Sequence, residues 1–134
     1  MTERQAQLLA DFNLIEDNQE RLSALVDRAR RLPAFVESER RDAYRVAGCV
    51  SQVWLIGAWR EGTGHFRCDA DGPLVRGLVA FLCEYYSGAN PAEILADNTD
   101  PLAALDLHRN LSPTRQNGLA AVRRAIGDFA RQSA

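Results

Sequence analysis

The sequence predicts an α+β fold in which a small antiparallel sheet packs against helices. Three observations predict it. Val53 to Trp59 is a continuous run of apolar or small residues, followed by a glycine-rich turn and an alternating stretch, which reads as a β-hairpin. Helical periodicity flanks that hairpin on both sides. Gly72-Pro73, Asn90-Pro91, Asp100-Pro101 and Ser112-Pro113 each place proline where a helix can begin, because its missing N–H costs nothing there and its fixed φ suits the helix. With 134 residues, 46% of them hydrophobic and 25% charged, the chain is expected to form one domain over residues 1–134. A chain of this size buries roughly 70% of its unfolded surface and needs no metal or disulfide to hold together.

From the N-terminus, Leu8, Leu9, Phe12 and Ile15 fall at helical spacing. Asp17 is a candidate N-cap, with Glu20 completing a capping-box pattern. Behind it Leu22, Leu25, Val26, Ala29 and Leu32 form a stripe of period 3.6, which Pro33 stops. Glu37 to Arg45 is densely charged and is expected to be an exposed connector. The run Val53–Trp59 reads as a strand buried on both faces. Glu61-Gly62-Thr63-Gly64 is a turn. His65 to Asp69 then alternates, with Phe66 and Cys68 on one face and His65, Arg67 and Asp69 on the other. The helix from Leu74 to Tyr86 is apolar nearly all round and is expected in the middle of the domain. Asn90, Asp100 and Ser112 are candidate N-caps, and Glu93 completes a box with Asn90. The last helix carries Leu119, Val122, Ile126 and Phe129 on one face, with Arg123, Arg124 and Arg131 largely off it.

The charge balance is 16 basic against 18 acidic residues. It argues against a strongly basic nucleic-acid or membrane footprint. No run of about 18 apolar residues is present, so no membrane span is expected. Met1-Thr2-Glu3-Arg4-Gln5 lacks the basic-then-apolar order of a secretory signal, and the expected compartment is the cytoplasm. All basic residues are arginine, so Schiff-base and lysine general-base chemistry are excluded. The three cysteines are Cys49, Cys68 and Cys83, with 18 residues between the first two and 14 between the last two. No C-x-x-C pair exists, and an odd number cannot all pair within the chain; no metal site is expected.

Position separates the thiols. Cys68 lies on the apolar face of a strand and Cys83 on an all-round apolar helix; both are expected to be inert core fillers. Cys49 sits between Gly48 and Val50 in a loop before the buried strand, where a sulfur is reachable. Spacing alone leaves Cys49 either functional or incidental.

Gly48-Cys49-Val50-Ser51-Gln52-Val53-Trp54 resembles the G-C-x-S-Q-V-W signature of the SufE family, the sulfur-acceptor proteins of iron–sulfur cluster assembly. Arg31-Leu32-Pro33, Asp69-Ala70-Asp71 with Val75-Arg76-Gly77-Leu78, and Leu111-Ser112-Pro113-Thr114-Arg115 with Gly118-Leu119 resemble three further family blocks in the right order. The departures are Gly72-Pro73 where the family often has alanines, and Arg76 in place of the usual lysine. The resemblance implies the sheet-on-helices fold shared with IscU-type scaffolds. It implies as partner a PLP-dependent cysteine desulfurase of the SufS or CsdA kind. Cys49 would accept persulfide sulfur from that partner, stimulate it, and pass the sulfur to a SufBCD-like scaffold or another acceptor. The PLP belongs to the desulfurase; no cofactor is expected on this chain.

A free thiol is only a few per cent ionised near pH 7, so the anion needs support from a guanidinium, a helix N-terminus or backbone N–H groups. By the family match Arg115 is the candidate, and it could equally dock the partner or cap structure. Asp71 is an N-cap or a partner contact. Ser51 and Gln52, like Gly48, shape or pack the cysteine loop, and Trp54 reads as core. Two other readings stay open. An IscU-type scaffold would need about three converging cysteine or histidine ligands. An activator could stimulate the desulfurase without accepting sulfur.

Overall fold

Thr2 opens the first helix: its hydroxyl accepts the Gln5 N–H, and the Gln5 side chain returns to the Thr2 N–H. A computed structural model describes residues 1–133 of the chain, and α1 covers Glu3–Asn13. Leu9 and Phe12 are buried, with Leu8 and Ile15 packed at the edge of the core. Helix α2 spans Asn18–Arg30. Asp17 is its N-cap, accepting the Gln19 N–H at 3.0 Å. The capping box expected with Glu20 is absent, because the Asp17 carboxylate serves the nearer Gln19 N–H instead of that of Glu20. Leu32, expected on the buried stripe, is 51% exposed. It precedes Pro33, which disfavours the helical conformation, and the helix has ended before it.

The hairpin forms as expected. Strands β1 (Val53–Arg60) and β2 (Thr63–Ala70) pair antiparallel, from Val53 opposite Ala70 to Arg60 opposite Thr63. Glu61 and Gly62 make the two-residue turn, both at positive φ, the geometry that matches the twist of the flanking strands. The expected burial of β1 on both faces is corrected. Only Val53 and Trp54 are buried; Leu55 to Trp59 are half-buried. A two-stranded sheet has one face toward the helices, and the connector covers only the Trp54 end of the other. On the core face Phe129 stacks on Trp59, with ring centroids 5.1 Å apart, and meets Phe66 edge-on at 5.7 Å. Gly57 makes room for that ring: a Cβ there would lie 2.8 Å from it.

Helix α3 (Pro73–Tyr86) starts at the proline itself and is buried on almost every side, as its composition predicts. It packs on β2, α2 and α6. Its last turn is closed by α1, since Arg4 and Gln5 both donate to the Tyr85 carbonyl. Helices α4 (Pro91–Ala96) and α5 (Pro101–Ala104) are short, capped by Asn90 with Glu93 and by Asp100. Helix α6 (Pro113–Gln132) is capped by Ser112 and buries Leu119, Val122 and Ile126. This is the α+β arrangement expected, with one two-stranded antiparallel sheet among the described residues.

Asp69 departs from expectation. His65 and Arg67 on its strand face are exposed, but Asp69 is only 2% exposed. The connector crosses this end of the hairpin and closes over it. The carboxylate accepts from the Phe35 N–H at 2.9 Å, its neighbour Ala70 N–H at 2.8 Å, Arg40 at 2.9 Å and Arg76 at 3.0 Å. Arg76 also bonds the Ala29 carbonyl, so one acid ties connector, hairpin, α2 and α3 together. Burial pushes the carboxyl upward, but the Phe35 N–H and Arg40 outweigh it, and Asp69 ionises below the usual carboxylate range.

Removing one partner of such a buried cluster leaves uncompensated charge. Asp69→Ala should cost on the order of 3 kcal/mol in urea unfolding at pH 7. The folded-state value is depressed, so the contribution is full above about pH 4 and fades as pH falls through the lowered value. The stability gap between wild type and variant should therefore narrow in acid; a constant gap would show that ionisation of Asp69 is not what stabilises the fold.

Candidate functional site

The segment before β1 is a loop closed at both ends. Arg45 bridges to Trp54, and the Val46 N–H bonds the Val53 carbonyl at 2.9 Å. On the far side the Asp71 N–H bonds the Gln52 carbonyl at 3.2 Å. Cys49 lies at the tip. Gly48 takes φ +91°, a conformation L side chains rarely adopt, and sits against Ala121 of α6, whose Cβ a side chain at Gly48 would meet at 3.3 Å. The glycine thus lets the loop lie flat on α6.

The Cys49 thiol donates to the Gly118 carbonyl at 3.2 Å. The sulfur is half-buried beside a cavity of about 40 Å³, floored by Val75, Leu78 and Val79 of α3 and by Leu119 and Val122 of α6. Burial pushes the thiol above its ordinary range; the charges of Arg124 and Arg45 pull the other way without cancelling it. Donation to a carbonyl likewise favours the protonated form. The resting site therefore holds a sheltered thiol under two exposed guanidinium groups.

The structure brings most of the expected residues to one place. Ser51 and Arg115 line the cavity with Cys49. Arg115 stands in the first turn of α6, where its N–H bonds Ser112; the guanidinium charges that act on the sulfur are those of Arg124 and Arg45. Asp71 does not cap α3 with its side chain: Gly72 occupies the N-cap position, and Asp71 is exposed at the β2–α3 turn beside Gln52. Trp54 is buried, as expected, with Arg40 over its ring at 5.5 Å. Cys68 and Cys83 are buried and line a different cavity. Among the described residues no three His, Cys, Asp or Glu side chains gather as metal ligands.

Sequence reading missed Arg45, Arg124 and Gly118. Arg45 hid at the end of a charged run, and Arg124 stood off the apolar face of its helix. One signal was available: Val46 is a single apolar residue between charged connector and cysteine loop, which marks a return to the sheet.

The model of the SufE family, an Fe–S metabolism associated domain, matches residues 6–130. The chain belongs to the SufE family. A SufE-like protein of Rhizobium etli is 34% identical over 130 residues, covering 93% of this chain and 88% of that protein. A second SufE-like protein, from Synechocystis, is 33% identical over 113 residues, covering 84% and 71%. A chloroplastic quinolinate synthase of Oryza sativa is 39% identical over 104 residues, which is 76% of this chain but 14% of that one. The fold matches the solution structure of a hypothetical protein from Thermus thermophilus, with TM-score 0.77 and 19% identity, over 96% of this chain and 93% of that one. Membership in the SufE family assigns the chain to sulfur transfer alongside a cysteine desulfurase, in iron–sulfur metabolism. Among the described residues no helix is long and apolar enough to cross a membrane.

Because only the thiolate reacts with iodoacetamide, the alkylation rate of Cys49, followed by peptide mass mapping, should rise with pH to a midpoint above the ordinary cysteine value of about 8.5. Arg124→Ala and Arg45→Ala should each move that midpoint further up. A midpoint at or below the ordinary value would contradict the sheltered-thiol geometry.

Proposed function

We propose that this SufE-family protein is a persulfide carrier and that Cys49 is its acceptor. The observation that supports this most is a thiol at a loop tip with an apolar space beside its sulfur. The Cys49 thiolate attacks the terminal sulfur of a persulfide on the desulfurase cysteine. The sulfur–sulfur bond of the donor breaks, its cysteine leaves as thiolate, and Cys49 carries S–SH. Sulfur moves between thiols with no net oxidation. The desulfurase, freed of its persulfide, can turn over again, which is how acceptance stimulates it.

The cavity suits the cargo. About 40 Å³ exceeds the space one water-sized atom needs, and its floor is aliphatic. A terminal sulfur seated there is kept from water and from stray thiols. The resting thiol is not the reactive form, so transfer requires the sulfur to leave the Gly118 carbonyl while Arg45 and Arg124 remain near it. Val50, beside Cys49, is 81% exposed and offers an apolar contact to the docking partner. Ser51 and Arg115 line the cavity with Cys49, and Gly48, Gln52 and Asp71 lie on or beside the same loop; together they offer the surface a desulfurase would meet. The PLP chemistry stays with that partner. The sulfur then goes to a SufBCD-like scaffold or a comparable acceptor. Free thiols throughout fit a reducing compartment, and we place the protein in the cytoplasm. An iron–sulfur scaffold role is disfavoured because Cys68 and Cys83 line a different cavity from the one at Cys49, and the three thiols do not converge.

Incubation with a cysteine desulfurase and cysteine, followed by intact-mass spectrometry, should add one sulfur atom to the wild-type chain. The gain should vanish in Cys49→Ser and persist in Cys68→Ser and Cys83→Ser. If Cys49→Ser still gains sulfur, the acceptor is elsewhere. If it gains none yet stimulates the desulfurase fully, the protein is an activator and no carrier.

A further inference from the structure

Cys68 and Cys83 take no part in this transfer, yet they are not isolated core residues. Cys68 comes from β2 and Cys83 from α3, and both line one cavity of about 330 Å³. The space at Cys49 uses Val75, Leu78 and Val79 of α3; this one uses Gly77, Ala80, Phe81 and Glu84, the opposite side of the same helix. The volume is that of a small-molecule site. Its walls are apolar, and its rim carries the Arg28–Glu84 ion pair and the exposed Arg67. The thiols are 9% and 4% exposed, shut off from bulky reagents but open to a small molecule entering the cavity. Both are free, and the strand and helix that carry them pack directly on each other around this cavity; the Cys68 sulfur, with burial, holds the Cys83 thiol well above its ordinary range.

We propose that Cys68 and Cys83 are an oxidisable dithiol, a modification site that small neutral peroxides reach through this cavity and close to a disulfide. Cys68, the more exposed of the two, reacts first. Its sulfur attacks one peroxide oxygen, the O–O bond breaks, and Cys68 becomes a sulfenic acid as one water leaves. The Cys83 sulfur then displaces the sulfenic oxygen, forming the S–S bond and releasing a second water. Two thiols lose two electrons and two protons, and one hydrogen peroxide becomes two waters. The raised Cys83 thiol makes closure slow, so the pair responds to sustained oxidant. The product ties β2 to the helix whose other side floors the Cys49 cavity.

The test uses full-length Cys49→Ser, in which the only thiols are the pair, so its outcome is independent of sulfur transfer. The protein is exposed to hydrogen peroxide, quenched, unfolded, alkylated with iodoacetamide and weighed intact. Reduced protein should take two alkyl groups; oxidised protein should take none, lose the mass of two hydrogens, and yield a peptide linked through Cys68 and Cys83. Its melting temperature should rise and return on reduction, since the bond closes a loop in the unfolded chain. Two alkyl groups after peroxide, oxygen adducts without the link, or a covalent dimer would each overturn the proposal.

Discussion

A two-stranded hairpin is at best marginally stable in water, so this fold depends on what covers its inner face. Helix α3 does most of that. It carries Leu78, Val79, Phe81, Leu82 and Tyr85, all essentially without solvent contact, and takes β2 on one side and α2 and α6 on others. Apolar burial of this extent is the dominant favourable term in a domain of this size. Asp69 then fixes the geometry: of its four hydrogen bonds, those from Phe35 and Arg40 hold the connector that leads into the cysteine loop, and that from Arg76 holds α3. A buried carboxylate is costly alone, and here it is tolerated because every direction it can accept from is occupied.

The chemistry at Cys49 follows from the same packing. The loop lies flat because Gly48 has no side chain to push it off α6, and the sulfur then falls over the Gly118 carbonyl. That position balances two opposing influences. Desolvation and the carbonyl favour the thiol, whereas Arg45 and Arg124 favour the anion. The guanidinium groups are at the surface and the cavity is beneath it, so displacement outward moves the sulfur away from what suppresses it and leaves it among the charges.

Much of this was legible in the chain. Proline with Asn90, Asp100 or Ser112 before it marked real helix starts, since those cues act locally. The hairpin and the buried α3 were legible from residue pattern, and Cys49 stood apart from the other two cysteines by its glycine neighbour. What escaped was non-local. Strand alternation put Asp69 in solvent, because nothing in the pattern of β2 shows that a connector carrying Arg40, 29 residues earlier, folds over it. The outer face of β1 carries Ile56 and Ala58, so its run reads as buried on both sides although little covers them. Arg124 reaches the sulfur only through the docking of α6, and the Cys68–Cys83 neighbourhood exists only once β2 and α3 are packed.

The closure of the cysteine loop at Val46 and at Gln52 has a mechanical consequence. Two residues lie between Val46 and Cys49 and two between Cys49 and Gln52, so each arm is three residue steps long and spans roughly 10 Å when fully extended. The sulfur is tethered by two short leashes to a rigid hairpin, and its working radius is correspondingly small. On the proposed carrier reading, it cannot ferry a sulfur between distant centres by swinging. Donor and recipient must each bring their own reactive atom to the same few ångströms of surface, so they must take turns, and the protein itself makes the journey between them.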